Sequence, residues 1–374
     1  MGGPLKILLI QLYANGDCLY ATTVARQIKI DHPDCHLTWA VAPSCKAILA
    51  NNPFIDEILE VTTVPKDDVS AFRKFKKECY KGKYGGFDEI IITQIIDTNL
   101  SNYDGVIRSA IYHGYPKKIT VPIQPILNLL PEEISKVQRF AELHDLVNYT
   151  NVILFEFAPQ SGQSKMNLST ALSIANKLTV TDDTAIILSS AQKFEPVNKK
   201  IIDGSVLSIR ETAGLTNFCN FMIGCSSGLT WASTSTAGKI LPMVQLLNRD
   251  TYFVNPISRD FKKFKIDDLK IIEITDYREQ RVVECVHMAL LNFEQAKEKF
   301  NEKIPMNFKT TRIIIYNLLC YLEFKAIFRH IKINNKVYGN DINFYKEVLL
   351  GFVIFPFKLV RNLLTKQVRS SLKT

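Results

Sequence analysis

Residues 6–30 read KILLIQLYANGDCLYATTVARQIKI, and the fold turns on how this stretch is read. Lys6–Leu12 is a short apolar run bounded by turn residues. It is too short to cross a bilayer and fits a buried strand. Asn15-Gly16 breaks the run, and a helix is expected from about Tyr20 to Asp31. Asp17 falls at the junction. A carboxylate there lies near a helix N-terminus, whose dipole favours the ionised form, and Gly16 lets the backbone come close to a ligand. Open α/β sheets bind ligands in the crevice at the carboxyl ends of their strands. Two roles fit Asp17 on these grounds: a cap of the helix, or a general base at the mouth of a cleft.

The same alternation continues downstream. Strands are expected at Leu37–Val41, Glu57–Val61 and Glu89–Thr93, with helices around Ser44–Asn51 and Ser70–Lys81. Strands alternating with helices imply βαβ units and a parallel sheet. Pro122, Pro125 and Pro131 punctuate a polar connection, a helix follows over 132–146, and Asn148–Asn151 is the expected crossing. A second α/β run then begins. It comprises a strand Val152–Phe157, a polar loop from Pro159 through Gln160 to Lys165, a helix Leu168–Leu178 and a strand Ala185–Ser189. After a polar loop at 190–205 come a helix Glu211–Phe218, a strand Phe221–Gly224, a Ser-rich turn at 225–230 opening a helix through Ala237, and a strand Leu241–Leu247. The expected architecture is α/β. Two Rossmann-like domains, residues 1–148 and 149–302, carry parallel sheets facing a central cleft, and a basic helical tail occupies 303–374.

Two loops of the second half carry possible phosphate chemistry. Small residues with free N–H groups at a helix start, here Ser226, Ser227, Gly228, Leu229 and Thr230, make an anion site as readily as an ordinary cap. Lys165, at the end of the other loop, supplies a positive charge, or is a solvated surface lysine. The chain has no GxGxxG, no Walker loop and no GxSxG, so dinucleotide, P-loop and α/β-hydrolase readings lose support.

Composition narrows the class. The 374 residues suit two domains rather than one. The eight cysteines (18, 35, 45, 79, 219, 225, 285 and 320) form no CxxC pair and no Cys/His ligand spacing, which points to reduced thiols rather than a zinc site or a disulfide scaffold. No metal and no cofactor is expected, and the six isolated histidines are not read as catalytic. The start of the chain has no basic segment followed by an apolar core and a small-residue cleavage site, so secretion is not indicated. The net charge of +9 is uneven: residues 303–374 hold 13 Lys/Arg against three acids, while the rest is near neutral. A nucleic-acid binder would carry its basic charge on the body, so no nucleic-acid partner is expected.

Four segments in order resemble glycosyltransferase family 9, the ADP-heptose:lipopolysaccharide heptosyltransferases of bacteria. They are KILLIQLYANGDCLYATTVARQIKIDHPDCHLTWAV, NNPFIDEILEV, FEFAPQSGQSKMNLSTALSIANKL and SIRETAGLTNFCNFMIGCSSGLTWAST, and the match runs over about residues 5–250. The resemblance implies a GT-B architecture. It also implies inverting, metal-independent transfer of a sugar from an NDP-sugar, ADP-heptose or a relative, to a lipopolysaccharide or other surface-glycan acceptor. Asp17 matches the family's catalytic Asp, and Asn15 and Gly16 would face the acceptor, with Asp97 and Arg108 reaching the same cleft from beyond the 89–93 strand. Lys165, Ser164 and the turn Ser226, Ser227, Gly228, Leu229, Thr230 and Trp231 would face the donor. Two positions depart from the family: Ser226 stands where it has Asp, and Trp231 where it has His. An NDP-sugar epimerase of the same fold and a non-catalytic, membrane-associated scaffold remain as alternatives.

The tail has no counterpart in the resemblance. Residues 344–369 mix aromatic and aliphatic side chains with Lys346, Lys358, Arg361, Lys366 and Arg369, and Pro356 interrupts them. This composition fits an amphipathic helix lying on an anionic membrane surface better than a spanning helix. Residues 306–335 suit either that role or a helix packed back on the first domain. The expected location is cytoplasmic, on the inner face of a bacterial inner membrane beside a lipid-linked or oligosaccharide acceptor.

Overall fold

The computed structural model describes residues 3–371 except 160, 181–182, 197, 252, 254 and 267–268, with side chains described through Phe357. Gln160, expected in a phosphate loop, lies outside the described residues, as do the side chains of Lys358, Arg361, Lys366 and Arg369.

The first sheet holds β1 (Lys6–Ile10), β2 (His36–Val41), β3 (Glu57–Glu60) and β4 (Glu89–Ile92), in the order β3-β2-β1-β4. All its pairings are parallel. Connecting them are α1 (Asn15–Asp31), α2 (Pro43–Lys46) and α3 (Val69–Tyr80); α4 (Ile107–Tyr112) and α5 (Pro131–Leu143) lead to the second sheet. That sheet holds β5 (Asn151–Glu156), β6 (Thr184–Ser189), β7 (Ile201–Asp203), β8 (Phe221–Gly224), β9 (Met243–Leu246) and β10 (Ile271–Ile274), in the order β10-β9-β8-β5-β6-β7 and again all parallel. Its crossovers are α6 (Leu168–Leu178), α7 (Ile209–Leu215), α8 (Gly228–Ser233) and α9 (Ile257–Lys263), followed by α10 (Glu279–Leu291) and α11 (Phe293–Phe300). The tail is three helices: α12 (Lys309–Cys320), α13 (Phe324–Tyr338) and α14 (Ile342–Ser371).

Several boundaries differ from the sequence reading. α1 begins at Asn15 rather than near Tyr20, so Asn15-Gly16 opens the helix instead of forming a separate turn. The polar loop at 190–205 contains β7, a three-residue strand too short to show periodicity. The helix opened by the Ser-rich turn stops at Ser233, short of Ala237. The strand β10 was not read at all.

The two sheets share a core. One apolar cluster runs from Ile7, Leu9 and Leu19 through Leu154 and Trp231 to Ile257 and Phe261. The connection between the sheets is pinned by Arg210 on α7. Its guanidinium donates two 2.7 Å bonds to Glu133, one of 2.7 Å to Asn128 O, and bonds of 3.2 and 3.1 Å to Ala47 O and Ala50 O.

The tail folds back on the first domain. Ile314, Ile315, Leu318, Leu319, Ala326 and Ile327 bury against Tyr103 and Ala110. Arg73 on α3 holds Glu323 at 2.8 Å. α14 lies against α12 through Phe344, Val348 and Gly351, and Arg312 clamps Glu347 with bonds of 2.6 and 2.9 Å. Gly351 is where the helices come closest, since a Cβ there would sit 2.7 Å from the Ile315 Cβ. Among the described residues no helix is long and apolar enough to cross a membrane. Gly351→Leu should therefore cost about 1–3 kcal/mol in urea unfolding, the overpacking penalty exceeding the gain in helix propensity.

Candidate active site

Ligands of open α/β sheets lie beyond the strand ends where the order reverses. In the first sheet that point falls between β1 and β4, and in the second between β5 and β8.

At the first point the chain leaves β1 through a fixed path. Gln94 Oε1 accepts the N–H groups of Leu12 and Tyr13, both at 2.8 Å, and Tyr13 OH donates to Val64 O at 2.6 Å. The N-cap of α1 is Ala14, in extended conformation, and no side chain caps the helix. Asp17 is therefore not the cap. It lies in the first turn and lines a cavity of about 110 Å³ with Tyr13, Lys66, Asp67, Gln94 and Ile96. Among the described residues no side chain is hydrogen-bonded to its carboxylate. Burial pushes its pKa up to about 7, with the positive charge of Lys66 pulling the other way. The position at a helix start led to the expectation of an ionised group, whereas burial raises its pKa.

At the second point a residue that sequence reading passed over organises the turn. Glu156, the last residue of β5, is buried and takes hydrogen bonds from the Ser227 hydroxyl, from Thr230 Oγ1 at 2.8 Å and from Cys225 N at 3.2 Å. Burial raises its pKa despite these donors. An acid closing the otherwise apolar run VILFEF was the available signal. Ser226 has a φ of 51° and is held on both sides: its N–H donates to Gln245 Oε1 at 2.7 Å, and its hydroxyl donates to Asn255 O.

The two points meet. The start of α1 abuts the start of α8, and a Cβ on Gly228 would lie 3.3 Å from Gly16 N and from the Asn15 Cβ. Asn15 and Gly16, expected to face an acceptor, are thus brought against the Ser-rich turn at Gly228. The same contact covers the α8 start, whose Ser227 and Thr230 hydroxyls already serve Glu156. Leu229 is buried, and so is Ser164, whose hydroxyl accepts Met166 N at 3.3 Å. Lys165 lies apart in an exposed pair with Asp250 at 2.5 Å.

Three further expectations meet a closed interior. Trp231 is core, with its ring 4.9 Å from Tyr20 and 5.8 Å from Phe261, so its indole offers no stacking face to a base. Arg108 is 1% exposed and sits 3.1 Å from Asp260 of α9, over the rings of Tyr20 and Trp231. Its head joins the two domains and is not free for an acceptor. Burial pushes Asp260 up to about 6 even with Arg108 beside it. Asp97 is buried between Arg73, at 2.5 Å, and Lys76, at 2.9 Å, and braces α3.

No protein-family model matches the sequence, and no curated protein does. Solved structures do match. The E. coli ADP-heptose LPS heptosyltransferase II superposes with a TM-score of 0.53 at 15% identity, over 78% of this chain and all of that one (100%). A glycosyl transferase family 9 structure from Veillonella parvula DSM 2008 gives a TM-score of 0.52 at 14% identity, over 80% and 97%. At these identities the likeness is one of fold, and it agrees with the GT-B architecture expected from the sequence.

The Arg108–Asp260 pair makes a direct prediction. Asp260→Ala should lower the unfolding free energy by about 3–5 kcal/mol, because it strands a buried guanidinium. Replacing the pair together, Arg108→Met with Asp260→Leu, should recover most of that loss in the same urea titration.

Proposed function

We propose that the chain is a glycosyltransferase that moves a sugar from an NDP-sugar to a glycan acceptor, with Asp17 as the general base. One observation carries this reading: a carboxylate with no hydrogen-bond partner among the described residues, shifted to about 7, lines a cavity at the strand-order reversal of the first sheet. A base poised near the working pH is what proton abstraction from a hydroxyl requires, and such a group contributes about 10²–10⁴-fold.

The reaction would run as a single displacement. The acceptor oxygen attacks the anomeric carbon, Asp17 takes its proton, and the bond from that carbon to the phosphate oxygen breaks with inversion. The negative charge that grows on the leaving diphosphate is met by Lys165, whose exposed, solvent-screened pairing with Asp250 is readily exchanged for a stronger anion. ADP-heptose or a relative would be the donor, and a lipid-linked surface glycan at the inner face of the membrane the acceptor. Turnover would include parting of the α1 and α8 starts, since Gly16 and Gly228 lie too close together to admit a diphosphate.

A second reading, a non-catalytic relative, is favoured by that same closed contact and by the hydroxyls spent on Glu156. Titration calorimetry with a panel of nucleotide-sugars, ADP-heptose first, separates the two. Binding of one of them supports transfer, and the absence of any isotherm sinks it. Conversion of the donor with no acceptor present would point to an epimerase instead.

With deacylated lipopolysaccharide core as acceptor, Asp17→Asn should leave the fold intact and reduce transfer by about 10²-fold or more. For the unaltered chain kcat/KM should rise tenfold per pH unit and level off near pH 7, because the base acts only when ionised. Lys66→Met removes the charge that lowers the Asp17 pKa, so it should move that midpoint to higher pH.

A further inference from the structure

The tail helices turn an apolar face outward. On α14 the residues facing α12, Phe344, Val348 and Gly351, are buried. The opposite face should be polar if it met only water. Instead it carries Ile342, Tyr345, Leu349, Phe352, Val353 and Phe357, with Ile342 80%, Leu349 64% and Phe357 75% exposed. Their spacing of three and four residues puts them in one stripe. α13 adds Phe324 and Phe328, the latter 72% exposed. Phe328 and Asn335 are seven residues apart and share a helix face, and Asn335 Nδ2 donates to Tyr345 OH of the α14 stripe. The two exposed faces therefore join.

Charge says what covers them. All three acids of the tail are engaged. Glu323 is paired with Arg73, Glu347 with Arg312, and Asp341 accepts the N–H groups of Asn343 and Phe344 at 2.7 and 3.4 Å. Exposed Lys325, Arg329, Lys332, Lys336 and Lys346 make no ion pair among the described residues, and the sequence places Lys358, Arg361, Lys366 and Arg369 further along α14. A face that is apolar in its middle and basic around it matches an anionic lipid surface, where acyl chains take the side chains and headgroups take the charge.

We propose that the outer face of α13 and α14 docks flat on an anionic membrane, with the Ile342–Phe357 stripe immersed at the headgroup boundary. Docking stands independently of sugar transfer. It bears on transfer because α13 packs on residues 97–102, directly after Gln94–Ile96, which wall the Asp17 cavity. A bound membrane would thus lie on the domain that holds the base.

Flotation of the full chain with mixed phosphatidylglycerol–phosphatidylcholine vesicles tests this. The protein should float with them, and its partitioning should fall about tenfold or more on pure phosphatidylcholine. Leu349→Glu with Phe357→Glu should reduce flotation about tenfold or more while circular dichroism is unchanged, because both side chains are solvent-facing. The triple change Lys325→Glu, Arg329→Glu and Lys332→Glu should also weaken it and reduce its sensitivity to salt. Failure to float with anionic vesicles overturns the proposal. So does sedimentation showing a lipid-free dimer that the Leu349 and Phe357 changes dissolve, because the face would then cover a second copy. Either result leaves the nucleotide-sugar titration to be judged separately.

Discussion

A charged pair shut away from water ties the two sides of the seam to one another, because neither charge tolerates losing its partner there. Arg108 and Asp260 face each other across the two domains, surrounded by Tyr20, Trp231, Phe261 and Phe264. Removing both charges from water costs several kcal/mol per ion, and only the intact pair offsets it. Asp104 with Lys263 beside it, and Arg210 at the far side, add contacts of the same kind. At the same seam Gly16 meets Gly228, where a Cβ on Gly228 would lie only 3.3 Å from Gly16 N and the Asn15 Cβ.

The chemistry of the candidate site depends on that frame. Asp17 owes its raised pKa to partial burial without a hydrogen bond among the described residues, and the charge of Lys66 tempers the shift. On the other side Glu156 spends its lone pairs on the Ser-rich turn, which makes the turn rigid but leaves its hydroxyls unavailable in the closed state. The candidate site is thus open to a cavity on the Asp17 side and covered on the Ser-rich side.

The tail belongs to the fold on its inner face and to something else on its outer face. Its buried residues complete the first domain over segment 97–112, and the Arg73 and Arg312 ion pairs fasten it there. Those same pairs consume its acids and leave the outside basic and apolar together. Packing and surface charge are thus set by the same few residues.

The alternation of apolar runs with helix periods was enough to determine two parallel α/β halves, because strand and helix periodicities are local properties of the chain. It also singled out Asp17, since a carboxylate between a buried strand and a glycine turn stands out without any tertiary knowledge. Glu156, Arg108 and Asp260 could not be assigned that way. Glu156 and Arg108 read as one acid in a strand and one base in a helix until distant elements bring partners to them. Whether a Ser-rich turn is open to a phosphate or covered by another helix, whether an indole stacks or packs, and whether a carboxyl group is buried at all were decided only by tertiary structure. Each depends on what lies across a gap, and sequence periodicity carries no information about that.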